Sequence, residues 1–478
     1  MTNTDKQHRQ KWTAREAFRV TAIGVTATMG IAAMAIVGAS GNSLDFGNDL
    51  LYSIEGSATL PDSTFHVVCT PSTTTDTNED ATIDGSVVVS TADGITIEDA
   101  FILDGKQTAL DPSVTDGEIT RYETDQPFAM TVRATTGAQL GAHAIVLADS
   151  DELNGYSVDS CGVASAEAWF ALGATTVGQY AGITVANPAQ AATEVRVEAW
   201  DSTGKIDETP SVTVSGRSTQ TINLATYFPE EERLAVRLTA SGPGAVFTFH
   251  TNSIAGLAPQ GLSNVTMADH PSTTLVFAGF DTEVSDPVMR LANPADDSAN
   301  VTIKSLTPEG EVDIEASELV IDPGAVFDVP LAGLGSEKTT VLVEADYPLV
   351  GSITGYTYGA ENEDGVAIAD RTTWMPTPAQ NAIKVIAPRI DDASNVVAIA
   401  NASDQVAELT IDDELYSIPA RTTRVYPFDG DTFTAKSTTP VHATLVSVVE
   451  RTTGTVRSAT ALSDPADTIP QITLRIIP

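Results

Sequence analysis

Histidine is the side chain that most often serves as a general base at neutral pH. The six histidines of this chain are His8, His66, His143, His250, His270 and His442. Catalysis needs a base and its partner within hydrogen-bond reach, and metal sites need ligands at spacings such as HExxH. No such spacing occurs here, and neither does a GxSxG, SxxK or P-loop motif. We therefore expect strand or loop roles for the histidines, no catalytic residue and no enzymatic activity.

Carboxylates could supply the acid–base pair of a glycosidase. The chain has 64 aspartates and glutamates, so chance explains any one pair better than glycosidase chemistry does. Aromatic residues of the kind that line sugar clefts are few: beyond the N-terminal segment the tryptophans are Trp169, Trp200 and Trp374. Trp169 and Trp374 flank repeat boundaries, where we expect them to pack.

One acidic stretch has the spacing of a calcium loop. Asp76, Asn78 and Asp80 place oxygen ligands at alternate positions, as an EF-hand loop does at its start. The required glycine is replaced by Ala81, and Val87 stands twelfth, where the loop needs glutamate. We predict no metal site and no cofactor.

The N-terminus combines a basic leader with a long uncharged run. The leader contains Lys6, Arg9, Lys11, Arg15 and Arg19. Residues 20–39 carry no charge, and 20 such residues can cross a bilayer as a helix. No Lys or Arg follows until Lys106, which places residues 1–19 in the cytoplasm and the rest outside. A cleaved signal peptide is the alternative, because AMAIVGAS (33–40) offers small residues for cleavage.

Both cysteines, Cys69 and Cys161, lie outside the membrane in this topology. An even number of cysteines in an exported chain predicts one disulfide, with a separation of 161 − 69 = 92 residues. The alternative is a metal site, which two cysteines without adjacent histidines do not favour. We expect the bond to close the first, most divergent unit.

A short motif is spelled three times, as ITVANPA (183–189), MRLANPA (289–295) and VAIANAS (397–403). The spacings between the asparagines are 293 − 187 = 106 and 401 − 293 = 108 residues, which is the size of a small domain. Two apolar residues with a polar one between them follow each asparagine by eight and ten positions, the pattern of a strand with one buried face. The repeat turns are predicted at Asn187, Pro188, Asn293, Pro294 and Asn401. The asparagine should end one strand and start a turn, although a ligand-contact loop is the functional alternative.

These patterns predict an all-β chain of tandem immunoglobulin-like β-sandwich domains after one N-terminal transmembrane helix. A proline in each repeat, at positions 243, 348 and 440, should mark a turn or an edge. Because each sandwich fills its own core, we expect no deep cleft shared between repeats. The predicted segments are a cytoplasmic leader (1–19), a transmembrane helix or signal anchor (20–39), a linker (40–56), a divergent sandwich (57–158) and three repeats (159–268, 269–378 and 379–478).

Charge restricts the partners. The formal net charge is −39, and without residues 1–19 it becomes (25 − 5) − (64 − 2) = −42. A chain this acidic repels nucleic acid and anionic lipid and favours cations and basic partners. We predict no nucleic-acid partner.

The stretch SCGVASAEAWFALGATTVGQYAGITVANPAQAATEVRVEAWDSTGKI (160–206) resembles the core of an actinobacterial extracytoplasmic family of unknown function. Members of that family carry one N-terminal transmembrane segment followed by repeats of the type LxNPxxxxAxVxVxxxxxxG. Cys161, Trp169 and Phe170 belong to the resemblance, which covers most of 60–478 and is weakest before residue 120 and at Asn401-Ala402. The family's genes often lie near cell-envelope glycosyltransferases, which implies an envelope role. It supplies no catalytic residues.

The function expected from the sequence is that of a non-enzymatic, membrane-anchored cell-envelope protein, acting as a stalk, scaffold or accessory subunit. It would be a single-pass protein of the cell membrane with its C-terminal region outside. Its partner would be an envelope protein or glycan. The alternative is a glycan- or protein-binding adhesin-like module, and a cryptic envelope hydrolase is a third hypothesis.

Overall fold

The computed structural model describes residues 55–463 and 472–475. Short gaps within the first range fall at 59–61, 74–82, 92–93, 136–137, 151–152, 267–269, 332–333, 335–337 and 363. The predicted membrane segment 20–39 and the calcium-like stretch 76–80 therefore lie outside the described residues. In the described part, the only helix is a 3-10 turn at Leu224–Thr226, and no helix has the length and apolarity to cross a membrane. The prediction of an all-β chain is confirmed.

The chain forms two compact parts. In the smaller part, β1 (Glu55–Ala58) pairs antiparallel with β33 (Ile472–Arg475). The larger part spans residues 59–471 and contains four successive sets of strands, which we call modules 1 to 4.

The strands of module 1 are β2 (Asp62–Cys69), β3 (Ile83–Ser90), β4 (Ile95–Ile102), β5 (Val114–Asp116), β6 (Ile119–Glu123), β7 (Phe128–Thr135), β8 (Ala142–Asp149), β9 (Asn154–Ser160) and β10 (Gly162–Val163). Those of module 2 are β11 (Glu167–Phe170), β12 (Gln179–Asn187), β13 (Thr193–Trp200), β14 (Ser211–Val214), β15 (Ser218–Asn223), β16 (Ala235–Ala240), β17 (Val246–Ala255) and β18 (Ala258–Thr266).

The strands of module 3 are β19 (Ser272–Phe280), β20 (Ser285–Ala292), β21 (Ala299–Leu306), β22 (Glu311–Ile321), β23 (Val326–Pro330), β24 (Thr339–Glu361) and β25 (Ala367–Trp374). Those of module 4 are β26 (Gln380–Ile386), β27 (Ala393–Asn401), β28 (Ala407–Ile411), β29 (Glu414–Ile418), β30 (Thr422–Pro427), β31 (Thr432–Arg451) and β32 (Gly454–Ala461).

All four modules share one antiparallel topology. In the first sheet, the first strand pairs with the sixth and the sixth with the third; in the second sheet, the second strand pairs with the fifth and the seventh, and the seventh with the eighth. In modules 3 and 4, one long strand (β24 or β31) serves as both sixth and seventh strand and so passes from one sheet to the other. The degenerate first module therefore shares these pairings with the three repeats and differs in its fourth strand, because β5 pairs with the fifth strand and the fourth strands of the repeats pair with the third.

Each module buries an apolar core between its two sheets. Strand β13 shows how the sequence specifies this: Val195, Val197 and Ala199 point inward and are fully buried, while the residues between them face outward. The alternation follows from the two-residue period of a strand. The third strands of the other two repeats, β21 and β28, show the same alternation.

The modules pack head to tail. The first sheet of module 1 packs through Val68 and Phe101 against Ala186 of the second sheet of module 2. Module 2 meets module 3 in the same way through Trp169 and Trp200. Module 3 meets module 4 through a cluster formed by Val276, Ala278, Leu306, Leu342 and Ala400.

The same type of contact closes a ring between module 4 and module 1. A methyl group placed on Gly141, at the edge of the second sheet of module 1, would lie 2.9 Å from Cγ1 of Ile386 in β26. Val88 and Ile145 of module 1 belong to the apolar cluster of module 4. A heterologous head-to-tail contact forms a ring when its rotation closes, and here four modules of one chain close it. The modules therefore do not form the linear stack that a stalk would need.

The last strands of the modules (β9, β18, β25 and β32) adjoin one another in this ring. Side chains link them to neighbouring backbones: Asn154 Nδ2 donates to the Ala369 carbonyl at 3.1 Å, and Ser458 Oγ accepts from the Val158 N–H at 2.8 Å. A single parallel bridge joins Gln260 of β18 to Ala369 of β25. Hydrogen bonds between modules thus supplement the apolar contacts.

Candidate functional site

The repeat asparagines form the same set of hydrogen bonds three times. Asn187 is fully buried, and its Nδ2 donates to the carbonyls of Ala191 (2.8 Å), Val214 (3.3 Å) and Ser215 (3.1 Å), while its Oδ1 accepts from the Ala189 N–H (3.0 Å). Asparagine can satisfy both a donor and an acceptor role in this way.

Asn293 and Asn401 are also fully buried and repeat this arrangement. Asn293 Nδ2 donates to the backbone carbonyls of residues 297, 321 and 322, and Asn401 Nδ2 donates to those of residues 405, 418 and 419. The structure places each asparagine at the end of the second strand of its module, where it ties the following turn to the end of the fourth strand. The buried amides are therefore occupied in structural bonds. Pro188 is buried, whereas Pro294 is half-buried and lines a groove described below.

The predicted disulfide is confirmed. Cys69 at the end of β2 and Cys161 after β9 are bonded, with S–S 2.03 Å and Cα atoms 4.5 Å apart. Both cysteines are buried. The bond joins the first and last parts of module 1.

The described histidines do not form a catalytic group. Burial lowers the pKa of both His143 and His250 to about 4. His250 bonds Asn264 Oδ1 and Thr184 Oγ1, both at 2.8 Å, and His442 Nδ1 lies 2.7 Å from the Thr377 carbonyl. None of these three contacts is to a carboxylate, and no group of three or more His, Cys, Asp or Glu in the described part of the chain is placed to hold a metal.

A groove of about 630 Å³ lies where the Asn293-Pro294 turn of module 3 meets the first sheet of module 2. Trp169 and Trp200 stack with ring centroids 4.9 Å apart. Cations cover them, with Arg237 5.5 Å from the Trp169 ring and Lys205 5.2 Å from the Trp200 ring. The indoles are only 5% and 6% exposed, so they hold the interface together and leave charged groups and prolines to face the groove.

A second cavity, of about 590 Å³, is lined by all four modules, with Cys161, Val246, Leu275 and His442 as examples. The expectation that the repeats share no deep cleft was therefore wrong. Each sandwich does fill its own core, and the cavity is lined by residues of all four modules.

The charged groups buried at the module junctions were not predicted from the sequence. Asp370 and Arg457 are 1% and 6% exposed, and Asp281 is 1% exposed. Arg457 Nη1 lies 3.2 Å from Asp281 Oδ2, and Lys338 Nζ lies 2.8 Å from the same oxygen. No local pattern marks these residues, because their partners lie far away in the chain.

Comparisons with known proteins give a family and no activity. No curated protein shows significant similarity to the chain. The crystal structure of Thermotoga maritima 1070 is similar over 22% of this chain and 95% of its own, with 14% identity and a TM-score of 0.18, which is too low to support an argument. Residues 120–423 match a family of unknown function, DUF5719, over 423 − 120 + 1 = 304 of 478 residues. The chain therefore belongs to the family DUF5719.

Proposed function

We propose that this chain is a non-enzymatic scaffold or accessory subunit of the cell envelope, anchored to the membrane by residues 20–39 with the ring of modules outside. The observation that carries this proposal is that the side chains best suited to chemistry make structural bonds instead. Buried His250, the repeat asparagines and the two cysteines are engaged in bonds that hold strands together. A ring built in this way offers surfaces for binding.

Export is supported by two features. A disulfide between buried cysteines persists in oxidising compartments. The basic leader before the uncharged run, and the lack of Lys and Arg between residues 39 and 106, follow the positive-inside rule.

The immunoglobulin-like character of the modules also belongs to this proposal. Pairing of the second strand with the fifth and of the third with the sixth corresponds to the B–E and C–F pairs of an immunoglobulin sandwich. The first and seventh strands have exchanged sheets relative to that fold, because the first pairs with the sixth and the seventh with the second. We propose a variant of the immunoglobulin-like arrangement.

A second candidate function is a glycan- or protein-binding module. The groove beside Trp169 and Trp200 favours it, because Pro294 of a repeat turn and the cations Lys205 and Arg237 line one surface. A hydrolase is the least supported hypothesis, since the hydrogen bonds of His250 and His442 go to amide, hydroxyl and carbonyl groups.

The proposal is tested by cross-linking in intact cells, with the full chain expressed at its native level and its N-terminal segment in place. We expect one envelope component to be captured reproducibly by the wild type. Lys205→Gln and Arg237→Gln should reduce capture if the groove is the binding surface, and Lys436→Gln, on module 4, serves as a matched control. Turnover of an envelope glycan by purified protein, abolished by one carboxylate substitution, would instead establish an enzyme.

A further inference from the structure

A cavity of about 280 Å³ lies between modules 2 and 3. Its walls include Gly173 and Ala174, from the loop after β11, and Arg290, Tyr356 and Arg371, from the second sheet of module 3. Ligand sites typically have volumes of roughly 300–1,000 Å³. This cavity therefore has the size for a small molecule and is too small for a polymer.

Arg371 has no acidic partner in this cavity. It is 6% exposed, and Nη2 donates to Gln179 Oε1 (3.2 Å), Ser253 Oγ (2.9 Å) and Tyr356 OH (2.7 Å), which are all neutral acceptors. Its Nε is buried without a hydrogen-bond partner, as are Nε and Nη1 of Arg457. None of the ion pairs between described residues includes Arg371. A guanidinium stays protonated, and a buried charge without a counter-charge is costly.

An arginine at the corresponding position of module 4 does have an acidic partner. In β24, Val350 pairs with Ala292, and Tyr356, six residues later, pairs with Arg371. In β31, His442 pairs with Ala400, and Val448, also six residues later, pairs with Arg457. The two arginines are therefore in equivalent register. Arg457 Nη1 lies 3.2 Å from Oδ2 of Asp281, which the loop after β19 of module 3 supplies.

By count along the chain, Ala174 of module 2 corresponds to Asp281, although β19 also contains a β-bulge between Phe277 and Phe280. Asp281 lies four residues after Phe277, and Ala174 lies four residues after Phe170. The two phenylalanines have the same register on the sixth strand. Phe170 pairs with the residue that also pairs with Ala199 of the third strand, and Phe277 pairs with the residue that also pairs with Ser305, the equivalent of Ala199. At one interface the aspartate neutralises the arginine, whereas at the other an alanine lines an open cavity beside it.

We propose that this cavity is a binding site for a small carboxylate, whose carboxylate group takes at Arg371 the place that Asp281 takes at Arg457. Arg290 does not compete for the ligand, because Asp328 binds its Nε at 2.8 Å and its Nη2 at 3.1 Å. Asp328, Asp286 and Glu232 line the same cavity. Their negative charges disfavour a dianion such as phosphate and select a ligand with one carboxylate.

The test uses the purified full-length chain and acetate as the probe. Thermal unfolding is measured in sodium acetate and in sodium chloride of equal ionic strength at one pH. Because a ligand that binds only the folded state raises Tm, we expect a saturable rise with acetate in the wild type. Arg371→Gln should weaken acetate binding by about tenfold or more. Arg133→Gln, which changes an exposed arginine of module 1, should leave the response intact.

Ala174→Asp tests the same site without relying on a particular ligand. It should restore the missing carboxylate, raise Tm in chloride above that of the wild type and remove the response to acetate. Ala174→Asn, which is matched in size and uncharged, should not raise Tm. Equal Tm in acetate and chloride, an unchanged acetate response in Arg371→Gln, or a larger rise with phosphate would each overturn the proposal. Destabilisation by Ala174→Asp equal to that by Ala174→Asn would also overturn it.

Discussion

Oδ2 of Asp370 in module 3 accepts a 2.6 Å hydrogen bond from the backbone N–H of Arg457 in module 4. Its other carboxylate oxygen accepts from the N–H of Tyr156 in module 1 at 3.2 Å. One buried side chain therefore joins three of the four modules where their last strands adjoin.

Asp370→Ala should destabilise the whole ring. The substitution leaves two buried N–H groups without acceptors, so we expect a loss of about 2–4 kcal/mol in the free energy of unfolding. Urea unfolding measures this loss. Asp364→Ala, on the exposed hairpin after β24, is the matched control and should change stability little. An equal effect of the two substitutions would show that Asp370 does not join the modules.

We expect the ring to lose stability as pH rises, because burial raises the pKa of two of its aspartates. Burial raises the pKa of Asp370 and that of Asp159 to about 8, from an ordinary value of 3.8. Between pH 3.8 and about 8 the two aspartates are protonated in the folded chain and ionised in the unfolded chain, so stability falls as pH rises. Burial also lowers the pKa of His143 and that of His250 from 6.5 to about 4, which has the opposite effect between pH 4 and 6.5.

The two effects oppose each other below pH 6.5, and of these four groups the two aspartates alone act between pH 6.5 and 8. We expect stability to fall there by at most about 1.4 kcal/mol per pH unit for each aspartate. Asp159→Asn should make the decline shallower. Urea unfolding at several pH values measures the slope, and stability that rises from pH 6.5 to 8 would contradict the burial of ionisable aspartates.

The repeat asparagines should matter to stability. Asn293→Ala removes three donated hydrogen bonds and one accepted hydrogen bond at a fully buried site, so we expect a loss of about 2–4 kcal/mol. Asn381→Ala, which removes one exposed bond to the Ser437 carbonyl, is the control. If Asn293→Ala kept wild-type stability but lost a binding partner, the turn would be a ligand-contact loop instead.

Much of each module could be predicted from local sequence. The alternation of apolar residues after each asparagine gives β13, β21 and β28, because the side-chain period of a strand is read directly from the chain. Gly204 and Gly310 lie in the turns after β13 and β21, with φ of 140° and 146°. In module 4, which lacks this glycine, Asp412 and Asp413 form the shorter turn with φ of 49° and 65°.

The prolines were only partly predicted. Pro243 lies in a turn between β16 and β17, whereas Pro348 and Pro440 lie inside the long strands β24 and β31. Both occupy the segment in which the strand leaves its pairing with the third strand and begins its pairing with the second. A proline is tolerated there because no ladder hydrogen bond needs its missing N–H.

The ring and its buried charges could not be predicted from one sequence. Asp281 and Arg457 are far apart in the chain, as are Gly141 and Ile386, and no local periodicity encodes such pairs. Arg371 and Arg457 look alike in sequence. Only the loop that each one meets, with Ala174 or Asp281, distinguishes an open cavity from a filled position.

Closure of the ring between modules 1 and 4 is tested most directly by a cross-link between positions 141 and 386. The chain carrying Gly141→Cys and Ile386→Cys is oxidised in its folded form, and its disulfides are mapped by peptide analysis. We predict an intramolecular bond between positions 141 and 386 alongside the native Cys69–Cys161 bond, and none when Gly141→Cys is combined with Val177→Cys on module 2. Free thiols at 141 and 386 in folded protein, with the native disulfide intact, would contradict the closed ring.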